Sequence, residues 1–232
     1  MANGQTPFDL CWKTMDTSTP HRMIARDGQH EIEIKKSRFI TSLFRVTSEE
    51  EARARIEATR KTYWDANHNC TAWAIGPGQR LQRSSDDGEP SGTAGVPMLE
   101  VLKRREVTDT LAIVTRYFGG VLLGAGGLIR AYGQSVSAAI DDIGVVERKP
   151  LAVQTLVASY DDAGRIENAI RASDFPLTDV AYSDRVTFEL VLEPEEVERF
   201  AHWVAELTNG AIAPMDGGTR FVEVAAPAVV SS

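Results

Sequence analysis

Hydrophobic and polar residues follow two different periods in the middle of this chain. Residues 111–115 form an uninterrupted apolar run, which is typical of a β-strand buried on both faces. From residue 128 to residue 143, apolar side chains recur every three or four positions, which predicts one face of an amphipathic helix. A glycine-rich stretch separates the two patterns. The sequence therefore predicts a buried strand, a glycine-rich turn and a helix in direct succession.

Shorter patterns predict the elements that precede this unit. Alternation over residues 30–46 predicts a strand pair, and Ser48 with Glu51 three residues later is a capping box that begins a helix through about Lys61. Residues 70–75 predict another strand, with a hairpin partner at residues 80–84. A short helical run follows Pro97.

The last third of the chain has its own regular order of elements. Strand patterns cover residues 151–160, 177–182, 186–192 and 219–224, and helical patterns follow the first and third of them. The resulting order is βαββαβ, the split arrangement of the ferredoxin-like fold. We therefore predict an α+β protein with two domains.

The glycine-rich turn is the first candidate site. Unpaired N–H groups at a helix start attract anions, and glycines let a ligand approach the backbone closely. The segment lacks the spacing of both the Rossmann fingerprint and the P-loop, and close packing of helix on strand is an alternative use of the glycines. Its candidate phosphate-binding or nucleic-acid-binding residues are Arg116, Tyr117, Gly119, Gly120, Gly124, Gly126, Gly127 and Arg130.

The bend at residues 35–38 is a second candidate contact for phosphate. Lys35, Lys36 and Arg38 supply three positive charges there, although a solvated turn has the same composition. Tyr117 could stack on a base nearby.

A polar loop over residues 86–95 is a third candidate. Its proposed conformational or binding residues are Asp86, Asp87, Gly88, Glu89, Ser91 and Thr93. The three carboxylates could hold a hard cation such as magnesium, or they could cap backbone N–H groups within the loop. We favour capping, and we expect neither a metal nor a cofactor. His68 and Cys70 are two residues apart and could form a Cys/His nucleophile or a pair of metal ligands. Core packing is the better interpretation.

Charge divides the chain at about residue 147. Residues 23–147 carry 16 basic and 17 acidic side chains, whereas residues 148–232 carry 7 and 14, so the net charge of −8 belongs mostly to the second part. We expect a disordered tail over residues 1–22, domains over 23–147 and 148–225, and a second tail over 226–232. No apolar stretch is long enough to span a membrane, no signal peptide is evident, and two cysteines favour reduced thiols in the cytoplasm.

Several long motifs stand out along the chain: the bend 35–39, Cys70-Thr71-Ala72-Trp73, the loop 86–95 with Pro97-Met98-Leu99, the segment 114–120, and the segment 122–133. In this order they resemble the IMPACT family, and more closely its bacterial YigZ-type members. The resemblance covers about residues 28–225. It implies a first domain similar to a ribosomal-protein domain and to domain IV of elongation factor G, an α/β sandwich, then a ferredoxin-like domain. It brings no catalytic residues.

The resemblance points to translational control. Our first hypothesis is a non-catalytic, translation-associated regulator that binds RNA or the ribosome through the glycine-rich groove flanked by arginines. The alternative is a protein or enzyme that binds a small phosphate compound or nucleotide in the same groove. A third hypothesis is a scaffold whose acidic second domain meets a basic protein partner.

Overall fold

The computed structural model describes residues 20–226, which divide into two compact units. The described part of the first unit comprises residues 20–148 and 223–226, and the second is Lys149–Val222. Fourteen-residue strand β7 (Val145–Ala158) contributes its first residues to the first unit and the rest to the second. The predicted tails at residues 1–19 and 227–232 lie outside the described residues. His21 and Arg22, which the sequence assigned to the first tail, instead belong to strand β1 (His21–Ile24).

The first unit is built on an antiparallel sheet of five strands. They are β2 (Gly28–Ile34), β3 (Ser37–Arg45), β4 (His68–Ile75), β5 (Leu81–Ser85) and β6 (Thr110–Tyr117), in the spatial order β2-β3-β6-β4-β5. Three helices accompany the sheet: α1 (Glu49–Thr62), α2 (Gly95–Arg104) and α3 (Ala125–Ile143). Strand β1 pairs antiparallel with residues 145–148 of β7.

The central strands β4 and β6 are buried on both faces, as the apolar run at residues 111–115 predicts. Cys70 and Val114 belong to a core shared with α2 and α3, while Trp73 and Ile113 belong to a second core with Ala52 of α1. Alternate side chains of a strand point to opposite faces, so helices cover both sides of this sheet. The predicted N-cap of α1 is confirmed, since Ser48 Oγ accepts the Glu51 N–H at 3.2 Å.

A two-residue turn joins β2 and β3. Lys35 and Lys36 have φ angles of 48° and 66°, and the register pairs Ile34 with Ser37. Positive φ at both central residues is the requirement of a type I′ turn, whose twist matches that of the strands. The turn places both lysine side chains on the exposed end of the sheet.

The second unit has the predicted βαββαβ order. After β7 come α4 (Tyr160–Arg171), β8 (Leu177–Tyr182), β9 (Val186–Leu192), α5 (Val197–Thr208) and β10 (Met215–Ala225). β7 lies between β9 and β10, and β8 is next to β9, which is the ferredoxin-like strand order. Its core joins apolar residues of both helices and the sheet, among them Ile166, Phe188 and Phe200. The α+β fold in two domains is therefore confirmed.

No helix within residues 20–226 is long and apolar enough to cross a membrane.

Candidate functional site

The polar loop between β5 and α2 is organised by Asp86. Its carboxylate accepts N–H groups of Gly92 at 2.8 Å, Ala94 at 3.0 Å and Gly95 at 2.8 Å. Burial alone would raise the pKa of Asp86, but the three backbone donors outweigh it and lower the pKa below its ordinary value. Asp86 therefore fixes the loop and the start of α2.

Asp87 also serves the fold. Its Oδ1 accepts from Arg60 Nη2 at 2.6 Å, and its Oδ2 accepts the Asn69 N–H at 2.7 Å. Thr93 donates its hydroxyl to the Pro90 carbonyl at 2.6 Å, while Ser91 is exposed. Gly88 has a φ of +87°. No group of three His, Cys, Asp or Glu side chains that could hold a metal occurs among the described residues. Of the three carboxylates, Asp86 caps N–H groups within the loop, whereas Asp87 and Glu89 accept from groups outside it.

Glu89 is the centre of a buried polar cluster. One oxygen, Oε1, accepts hydrogen bonds from Arg116 Nη1 at 2.5 Å and from the Tyr132 hydroxyl at 2.8 Å. His68 Nε2 lies 3.9 Å from the same oxygen. Polar side chains from four elements therefore meet at Glu89: Glu89 itself from the loop, His68 from β4, Arg116 from β6 and Tyr132 from α3.

Arg116 is not the exposed groove residue that the sequence predicts. It is 6% exposed, its guanidinium lies 5.4 Å from the Phe39 ring centre, and Phe118 covers it at 5.7 Å. Strand β6 places Arg116 on the same face as Val114, toward α3, where Glu89 compensates its charge. The Arg116 Nε–H has no hydrogen-bond partner among the described residues.

A cleft of about 430 Å³ opens beside this cluster at the start of α3, and we call it the α3 cleft. The residues that line it are Asn67, His68, Glu89, Pro90, Arg116, Phe118, Leu122, Leu123, Gly124, Ala125 and Leu128. Helix α3 begins after Gly124, which has a φ of +70° and supplies no side-chain cap. No partner is described for the N–H groups of Ala125, Gly126 and Gly127, the first three residues of the helix. Of these three residues, Ala125 lines the cleft, whereas Gly119, Gly120, Gly126 and Gly127 of the predicted site are not among its lining residues.

His68 is oriented by the loop. Its Nδ1 lies 2.9 Å from the Asp87 carbonyl oxygen, which can only accept, so Nδ1 carries a proton and donates it. Nε2 is then the nitrogen next to Glu89 and the α3 cleft. The sequence interpretation of His68 as a core residue is wrong, since a quarter of its side chain is exposed.

Cys70, in contrast, is a core residue. Its thiol donates to the Asp86 carbonyl at 3.0 Å and lies 3.4 Å from the Tyr132 hydroxyl. Burial raises the pKa of Cys70 to about 12. No contact with His68 is described, so the two residues do not form a nucleophile pair.

The basic bend and the end of β6 meet at one end of the sheet, which we call the basic end and define as Lys35, Lys36, Arg38 and Tyr117. Arg38 pairs with Tyr117 across the strands, lies 5.5 Å from its ring centre, and binds Glu31 at 2.8 Å. The Tyr117 hydroxyl donates to Asp65 at 2.8 Å. No ion pair is described for Lys35 or Lys36.

Gly119 joins the basic end to the α3 cleft. A Cβ atom at this position would lie 2.1 Å from the Lys36 carbonyl carbon and oxygen, so only glycine allows this approach. Gly120, with a φ of +82°, and the exposed Leu122 follow in the loop that leads to the cleft.

Arg130 lies elsewhere. It lines a second cleft of about 610 Å³ between α2 and α3, together with Val96, Arg104 and Ile129. The prediction that Arg116 and Arg130 flank one groove is therefore wrong, because only Arg116 lines the α3 cleft.

The sequence does not predict the Tyr132 hydroxyl in the cluster around Glu89, nor the apolar walls of the α3 cleft, among them Phe118 and Leu122. The apolar period along α3 includes position 132, although a tyrosine hydroxyl requires a partner when it is buried. Its place on that stripe, facing strand β6 with Arg116 near its end, is the signal that points to such a partner.

The comparisons with known proteins extend over both domains. Residues 35–140 match the Impact N-terminal domain, and residues 156–211 match a domain of unknown function, DUF1949. A Bacillus subtilis protein described as IMPACT family member YvyE is 52% identical over 198 residues, covering 85% of this chain and 91% of its own. The chain belongs to the IMPACT family.

Two further comparisons also cover most of the chain. IMPACT family member YigZ of Escherichia coli is 38% identical over 182 residues, covering 78% of this chain and 89% of its own. A crystal structure described as a hypothetical protein superposes with a TM-score of 0.54 at 36% identity, covering 84% of this chain and 96% of that one. The chain is thus similar to bacterial IMPACT proteins over both domains.

Proposed function

We propose that this IMPACT family member is a non-catalytic, translation-associated regulator that binds RNA, on the ribosome or free, through its first domain. The family resemblance supplies the link to translation. The observation that supports RNA contact is the basic end. No ion pair is described for its two lysines, Lys35 and Lys36, and Arg38 lies beside them over the Tyr117 ring.

The chemistry of the basic end suits single-stranded or looped RNA. Lysine ammonium groups contact phosphates, and bases stack on aromatic rings without regard to sequence. The rigid turn holds Lys35 and Lys36 in place, so little conformational entropy of the backbone is lost on binding.

Charge confines this contact to a local patch. The first domain is nearly neutral, and the second has twice as many acidic as basic side chains. An acidic surface repels phosphates, so the second domain would stay off the RNA and remain available to a basic protein partner.

Filter binding with ribosomes and with a structured RNA, each over a series of salt concentrations, tests the proposal. The informative variant is Lys35→Asn with Lys36→Gly, because this pair removes two charges and still favours positive φ. We expect affinity to fall about tenfold and the salt slope to shrink by about 1.4 to 1.8. Arg171→Ala with Arg185→Ala removes two exposed charges from the second domain and serves as the matched control. Salt-insensitive binding, or equal effects of the two variants, would contradict the proposal.

A further inference from the structure

We propose that the α3 cleft binds the phosphomonoester group of a nucleotide, either free or at the end of an RNA chain. The inference rests on the proposed function for the RNA source and stands apart from it for the free nucleotide. It concerns a different surface from the basic end.

The start of α3 supplies the anion-binding groups. Three successive N–H groups, those of Ala125, Gly126 and Gly127, lack described partners at the positive end of a 19-residue helix, and Ala125 lines the cleft together with the preceding Gly124. Gly124 has no side chain to shield this end of the helix from a phosphate. Phosphate oxygens accept several such hydrogen bonds at once.

A second observation also points to an anion. Arg116 lines the cleft, is only 6% exposed, and has an Nε–H without a described partner. A buried donor that lacks an acceptor is costly, and a ligand oxygen would relieve that cost. Glu89 is the one carboxylate among the residues that line the cleft, and Arg116 already compensates it. The Nε2 of His68 adds a further polar group on the side of the cleft next to Glu89.

The walls of the cleft fit the rest of a nucleotide. Phe118 is 45% exposed and Leu122 is 83% exposed, so both offer apolar surface against which a base can lie. Asn67 uses its Oδ1 to accept the Phe118 N–H at 2.8 Å, which leaves its Nδ2 able to donate to a base. A volume of about 430 Å³ lies in the range of small-molecule sites.

Helix α3 permits a variant that places a negative charge in the cleft without harming the fold. Ala125 is exposed and lines the cleft, so a longer side chain fits there. Ala125→Glu brings a carboxylate to the helix start, where it complements the dipole but repels a bound phosphate. Ala125→Gln has nearly the same shape without the charge and is the matched control.

The experiment compares oligoribonucleotides with a 5′-phosphate, a 3′-phosphate or neither, and adds AMP and inorganic phosphate in calorimetric titrations. We expect a terminal phosphate to tighten binding at least tenfold for the wild type and for Ala125→Gln. For Ala125→Glu, the phosphorylated and unphosphorylated chains should bind equally. Lys35→Asn with Lys36→Gly should weaken all chains by the same factor and leave their ratio unchanged.

The outcomes separate the two proposals. If the protein binds AMP but no RNA, and Ala125→Glu abolishes the binding of AMP, the nucleotide site stands and the RNA function is overturned. RNA binding with no preference for a terminal phosphate and no binding of AMP would overturn the nucleotide site alone. Equal binding of AMP by both Ala125 variants, or binding of inorganic phosphate without AMP, would also overturn it.

Discussion

Glu89 and Arg116 form an ion pair inside the first domain, with 2.5 Å between Oε1 and Nη1 and with both side chains more than nine-tenths buried. They are 27 residues apart in the sequence, and the pair connects the loop before α2 to the end of β6. Because Tyr132 of α3 donates to the same oxygen, the pair also sets the position of the helix that opens the cleft.

Removal of one partner should be strongly destabilising. Arg116→Met leaves a buried carboxylate without its counter-charge, and we expect a loss of about 3–5 kcal/mol in the free energy of unfolding. The double variant Glu89→Gln with Arg116→Met retains an acceptor for Tyr132 and should lose clearly less than the sum of the single variants. Urea unfolding measures all three, and a loss below about 1 kcal/mol for Arg116→Met would show that the pair is not coupled to folding.

Asp86→Asn should remove an acid-dependent part of the stability. The pKa of Asp86 is lowered in the folded state, so its contribution is present above the unfolded pKa of about 4 and is lost as the pH falls through the folded value. At neutral pH, we expect the variant to lose about 1–3 kcal/mol. Thermal unfolding from pH 7 to pH 2.5 checks this, with exposed Asp184→Asn as control. The gap between wild type and Asp86→Asn should close at the acid end, and a constant gap would contradict the assignment.

Substitution by alanine should change the free energy of unfolding in opposite directions at Gly119 and Gly126. At Gly119, the new Cβ would lie 2.1 Å from the Lys36 backbone, so one strand end must shift, and we expect a loss of about 1–3 kcal/mol or more. At Gly126, the Cβ has room, and helix propensity favours alanine by up to about 1 kcal/mol. Urea unfolding of both variants tests the contrast, which fails if the two substitutions have the same sign.

These glycines illustrate what a sequence can and cannot reveal. Residues 111–115 and the stripe along α3 were predictable, because burial on two faces and a helical period each leave a direct pattern of apolar residues. The close approach of Gly119 to Lys36 was not, since it depends on the register of β3 against β6.

Arg116 shows how the candidate site was partly misread. Its charge and its position before the glycines favoured an exposed groove residue, yet alternation from Ala112 through Val114 continues to Arg116 and turns it toward the core. The compensating carboxylate, Glu89, belongs to a loop. A loop has no repeating pattern of residues from which its contact with Arg116 could be predicted. Long-range polar pairing was therefore the part that the sequence could not supply.

Cys70 should be almost inert in the native protein. Burial raises its pKa from 9.0 to about 12, which lowers the thiolate fraction near pH 8 by about 10³ relative to an exposed thiol, and the thiolate is the reactive form. We therefore expect iodoacetamide to modify Cys70 at least about 100-fold more slowly in buffer than in urea. Peptide mass spectrometry separates Cys70 from Cys11, and Cys11→Ser gives the same measurement without the second thiol. Tyr132→Phe should keep Cys70 protected, because the aromatic ring and not the hydroxyl excludes the reagent. Equal labelling rates in buffer and in urea would mean that β4 and α3 separate readily, and the cluster around Glu89 would then not be a fixed wall of the cleft.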